Sequence, residues 1–104
     1  MQDRRIFVRI NMKLPLRFAD SGNNPEYGAE TFNISAKGVG FITKEKLNPN
    51  TSIEMWLEIP DNHQPLFVSG KVVWTDKAQE QGKQRVGINL DQANLMGLAR
   101  TFRL

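Results

Sequence analysis

The chain of 104 residues contains no cysteine and a single histidine, His63. The first absence excludes disulfides, thiol nucleophiles and thiolate zinc sites, and the second excludes a site built from several imidazoles. No apolar run approaches the roughly 18 residues of a membrane-spanning helix. The opening Met1-Gln2-Asp3-Arg4-Arg5 leads into mixed sequence and not into the apolar stretch of a secretory signal. We therefore expect a cytoplasmic protein with no membrane insertion. The carboxylates are scattered and no nucleophile stands near a base in sequence, so an enzyme ranks last among the functional readings. His63 sits in the polar loop Pro60–Pro65 and reads as a solvated side chain. What the chain does not lack is core material. With 39% apolar and 24% charged residues it has the composition of a folded globular domain, and its length fits one domain over 1–104.

Positive charge is concentrated at one end. Residues 1–18 carry Arg4, Arg5, Arg9, Lys13 and Arg17 against Asp3 alone, whereas the remainder holds 9 basic and 10 acidic residues. A basic arm (1–9) on a near-neutral body suits an anionic ligand, because clustered guanidinium groups focus positive potential. The same charge would also serve a solvated arm that only aids solubility.

Hydrophobic alternation dominates the next 80 residues. Ile10, Met12, Leu14, Leu16 and Phe18 alternate with polar positions, which predicts a half-buried strand with an edge or bulge at Pro15. Ala19–Gly28 collects loop residues. Ala29–Ser35 and Val39–Thr43 then form a hairpin around Ser35-Ala36-Lys37-Gly38, where Gly38 is expected to supply a positive φ. Ile53–Ile59, Leu66–Thr75 and Arg85–Leu90 complete six strands. Short strands at this spacing predict an all-β fold, a six-stranded antiparallel β-barrel over 10–90, since closure removes exposed edges. After Asp91, a candidate N-cap, Leu95, Leu98, Ala99 and Phe102 recur at helical spacing, predicting one C-terminal α-helix over 91–104 packed on the barrel. Trp74, among alternating apolar positions, is expected in the core. Trp56 shares its strand face with Glu54 and Glu58 and is expected outside, unless the helix or a partner covers it.

Two short motifs carry chemistry. Arg5-Ile6-Phe7-Val8-Arg9 has the form R-x-x-x-R, and Asn33-Ile34-Ser35-Ala36-Lys37-Gly38 has the form N-x-S-x-x-G. The first is weak alone in a chain with seven arginines, but the second is rare, and the two occur in a telling order: arm first, hairpin turn later. A plain hairpin turn would also explain Asn33, Ser35 and Gly38. The pair resembles the PilZ domain, whose members combine R-x-x-x-R with [D/N]-x-S-x-x-G on a six-stranded barrel and bind the bacterial second messenger cyclic di-GMP. Val72-Val73-Trp74 and Val86-Gly87-Ile88 also resemble that family's late strands, so the likeness spans essentially the whole chain.

The resemblance implies a bacterial receptor module, not an enzyme, with no cofactor beyond the ligand cyclic di-GMP and with an unidentified downstream protein as partner. It implies a site of Arg4, Arg5, Arg9, Asn33, Ser35 and Gly38. Guanidinium suits this ligand because it forks onto phosphate oxygens or guanine O6/N7 and stacks on a base. Asn33 could meet a guanine edge, Ser35 a phosphate, and Gly38 could bring backbone N–H groups close. The arm is expected to order when ligand binds. An arginine at the place of Arg4 is associated in PilZ-like domains with an intercalated ligand dimer. The alternatives are a small barrel that binds nucleic acid, which the basic arm also suits, and a PilZ-like protein-interaction domain that binds no nucleotide.

Overall fold

The computed structural model describes residues 9–20, 25–61, 63–94, 97, 99 and 100. Among the described residues seven strands follow one another: β1 (Ile10–Asn11), β2 (Pro15–Asp20), β3 (Tyr27–Ile34), β4 (Gly38–Thr43), β5 (Ser52–Leu57), β6 (Leu66–Lys77) and β7 (Gln84–Leu90). All pairings are antiparallel, in the order β1-β3-β2-β5-β6-β7-β4. A further β3–β4 ladder closes the sheet. Six strands, β2 to β7, make the barrel, and β1 is a short extra strand on β3.

Away from the strand irregularities, the inward positions are those the alternation marks. Leu16, Phe18, Phe41, Ile53, Met55, Val72, Val86 and Ile88 are fully buried. Phe18 anchors the centre, its ring 5.0 Å from Phe41 and 5.6 Å from Tyr27. Each such side chain contributes about 1.5–3 kcal/mol when buried, and together they offset the entropy of ordering a sheet made of non-local pairs.

The strand predicted over Ile10–Phe18 is divided. Between its halves the buried hydroxyl of Thr31 donates to Met12 O at 2.6 Å and accepts from Leu14 N at 2.8 Å. A side chain thus replaces ladder partners at the break, and Pro15, which has no N–H, opens β2 just after it. Ala19, Asp20, Tyr27 and Gly28 belong to strands, where a loop is predicted. At the C-terminal end the described residues do not extend to a helix of the predicted length. Gly97, Ala99 and Arg100 are helical, and Leu95, Leu98 and Phe102 lie outside the described residues. Asp91 does not cap: its N–H bonds to Ser69 O and its carboxylate accepts from Ser69 Oγ. Asn94 takes that place, its Oδ1 accepting from Gly97 N at 2.7 Å.

Candidate functional site

Two bulges set the site. In β3 the register against β4 shifts between Thr31 and Asn33, so Phe32 is the extra residue, and Phe32 and Asn33 both point outward while Ile34 returns to the core. In β6 the register against β7 shifts between Val72 and Trp74, with Val73 as the extra residue. This overturns the core assignment of Trp74. Val72 is buried, Val73 and Trp74 both face outward, and Trp74 is 39% exposed because the bulge inverts the phase of the alternation.

The ladders align Asn33 with Gly40, Gly40 with Gly87, and Gly87 with Trp74, making one outward row across β3, β4, β7 and β6. The two glycines let aromatic rings lie directly against the backbone in the middle of this row. A Cβ on Gly40 would stand 2.6 Å from the Phe32 ring and 2.9 Å from Asn33 Oδ1, and one on Gly87 would collide with the Trp74 indole. Phe32 and Trp74 approach to 6.3 Å between centroids, and the Arg85 guanidinium lies 4.3 Å from the Phe32 centroid. The result is a shallow outer surface with aromatic faces and a stacked cation.

Arg9 joins this surface from beside β1. Asn11 pairs with Asn33, so Arg9 is a diagonal neighbour of Asn33 on the same face. Its Nη1 donates to Asn33 Oδ1 at 2.9 Å. Its Nη2 is 3.3 Å from the place a Cβ on Gly38 would take, which is also 2.9 Å from Ile88 O. Gly38 is therefore required for close approach. The expected positive φ is not found there: among the described residues only Asn50 and Gly82 have one. Ser35 is 8% exposed, and its hydroxyl accepts from Gly38 N at 3.0 Å and Lys37 N at 3.2 Å. Together with Ser35 N donating to Gly38 O at 2.8 Å, it staples the turn from inside. The structure thus brings Arg9, Asn33 and Gly38 into contact and puts Ser35 beneath them. Arg4 and Arg5 lie outside the described residues.

Residues 3–100 match the PilZ domain family. The chain is a PilZ domain. Solved structures share its fold, among them these two. One is the Bacillus subtilis inhibitor of motility MotI/DgrA, with a TM-score of 0.73 and 14% identity, covering 99% of this chain and 49% of that one. The other is the PilZ domain of CeSA from a cellulose-synthesizing bacterium, with a TM-score of 0.58 and 17% identity, covering 92% of each chain. This PilZ domain thus spans about half the length of MotI/DgrA. A comparison with curated proteins finds no match. PilZ domains are binding and regulatory modules, generally with the fold of a cyclic di-GMP receptor. In this one, sequence reasoning misses Phe32 and Arg85 and misplaces Trp74. Its available signal is glycine within two strands, Gly40 and Gly87, which marks close approach by other groups.

Proposed function

We propose that this PilZ domain is a cytoplasmic bacterial receptor for cyclic di-GMP, that it is not an enzyme, and that it signals through the rearrangement its ligand imposes. The observation that carries the reading is the contact between its two motifs. Arg9 of R-x-x-x-R and Asn33 of N-x-S-x-x-G are 24 residues apart in sequence and 2.9 Å apart in space, packed against Gly38 and Gly40. A guanidinium and a carboxamide side by side offer N–H donors to phosphate and to the acceptor edge of guanine. Arg4 and Arg5 would complete the clamp from the arm. Output has a route: the same turn holds the end of β7 and the segment after it, since Lys37 O accepts from Leu90 N at 2.7 Å and Ala36 O from Asn94 N at 2.6 Å. A ligand that pulls the arm onto this turn therefore acts on both ends of the chain.

Titration calorimetry with cyclic di-GMP tests the reading. Arg9→Ala should weaken binding by about tenfold or more, as for a lost charge-assisted bond worth about 1.5–3 kcal/mol. Arg17→Ala should not, because Arg17 is ion-paired to Glu26 on another face of the barrel. No heat at about 100 μM ligand, together with no thermal stabilisation, overturns the proposal, since even a 1 μM site would then add roughly 2.7 kcal/mol. Binding of nucleic acid that falls steeply with salt, and is indifferent to the cyclic dinucleotide, would favour the alternative small-barrel reading.

A further inference from the structure

A second row of outward side chains crosses the barrel away from the Asn33–Trp74 row. Arg17 of β2 pairs with Trp56 of β5, and Trp56 pairs with Phe67 of β6. The Arg17 guanidinium is 5.7 Å from the Trp56 ring, and the Trp56 and Phe67 centroids are 5.4 Å apart at 50°. Phe67 ends the stack and is 50% exposed. It stands between two clefts of about 600 and 420 Å³, one reaching Asp91 and the other the Asp61–Arg100 pair.

Carboxylates predominate around this row. Glu54 and Glu58 flank Trp56 on its strand face, Glu26 bonds to Arg17 at 2.9 Å, and Asp91 accepts from Ser69, the ladder partner of Glu54. Arg17, the one cation in the row, is held by Glu26 and lies 3.9 Å from Glu58. Lys71 is two ladder steps further along. Carboxylates therefore outnumber cations around the half-buried Trp56 and the exposed Phe67. The charge decides between occupants. A second copy meeting this patch about a two-fold axis would oppose acid to acid, and anionic lipid headgroups or nucleic acid would be repelled. A cation, by contrast, meets both ring faces and carboxylates.

We propose that the Arg17–Trp56–Phe67 face docks a basic amphipathic segment of a partner protein, with apolar side chains against Phe67 and Trp56 and Arg or Lys between Glu54, Glu58 and Asp91. It is independent of the nucleotide reading and uses a different face of the barrel. In a Trp74→Phe background, Trp56 is the only tryptophan and reports on the patch. The probe is a short synthetic amphipathic peptide of leucine and arginine, with a leucine–glutamate counterpart as control. The arginine peptide should shift Trp56 emission and the amide resonances of 54–58 and 67–69. Phe67→Ser, and separately Glu54→Lys with Glu58→Lys, should weaken it about tenfold, with cyclic di-GMP titration unchanged. Equal binding of the glutamate peptide overturns the proposal, as do shifts confined to 33–40 and 85–89 or indifference to both variants. Self-association that Phe67→Ser abolishes would also overturn it, by assigning the face to a second copy.

Discussion

Ser35 is the motif residue whose role differs most between sequence and structure. As a letter in N-x-S-x-x-G it suggests a hydroxyl offered to phosphate, but as a side chain it is buried and receives the Lys37 and Gly38 amides. Replacing it with alanine strands buried donors, which costs about 1–3 kcal/mol. For a domain of this size each kcal/mol corresponds to roughly 4–8 °C in melting temperature. We expect Ser35→Ala to lower the melting temperature by that order in calorimetry and to weaken cyclic di-GMP binding through a loosened turn. An unchanged melting temperature would show that the staple contributes nothing. Gly38 is a parallel case, required for the space beside Arg9 and Ile88 O and not for an unusual φ.

Between β5 and β6 the loop is tied to the C-terminal segment through Arg100. Arg100 Nε and Nη2 donate to the two Asp61 oxygens at 2.8 and 2.9 Å, and Nη2 also donates to Gln64 O at 2.8 Å. These bonds hold the Asp61 carboxyl well below the usual carboxylate range, against the opposing effect of burial and with help from the His63 N–H. A carboxylate whose folded pKa is depressed adds stability that is fully present above its unfolded value, about 3.9, and lost as pH falls below it. The melting-temperature difference between wild type and Asp61→Asn should therefore be constant from about pH 8 to pH 5 and shrink below about pH 4. A difference that persists unchanged at lower pH would assign the effect to packing. Elements also explain the misplaced tryptophan. Strict alternation through Leu66–Thr75 puts Trp74 on the core face only if no residue is inserted, and Val73 is inserted.

Across the whole molecule Arg9 stands at the Asn33 surface, while carboxylates predominate on the Trp56–Phe67 face, so the barrel offers differently charged faces to different occupants. Four phosphates of an intercalated ligand pair would repel one another and need several cations. Arg4, Arg5 and Arg9 are three, with Arg85 already placed on Phe32. Calorimetry should then saturate at two cyclic di-GMP per chain for wild type and at one for Arg4→Leu, with binding retained. A wild-type endpoint of one refutes the ligand pair and leaves the receptor reading intact.

Much of this architecture is written locally. Period-2 alternation in Ile53–Ile59 and Arg85–Leu90 determines strands and their inward faces, because side-chain direction follows from the pleat itself. The Asn33–Gly38 motif determines a turn. Tertiary structure decides what depends on register between distant strands. The bulges at Phe32 and Val73 arise from how β3 meets β4 and how β6 meets β7, so neither is visible in either strand alone. Through them the barrel puts Asn33 beside Arg9 and lays Trp74 over Gly87, and the separate β2–β5–β6 register stacks Arg17, Trp56 and Phe67 from three strands. Alternation specifies which side of a strand a residue takes, and only closure of the sheet specifies its neighbours.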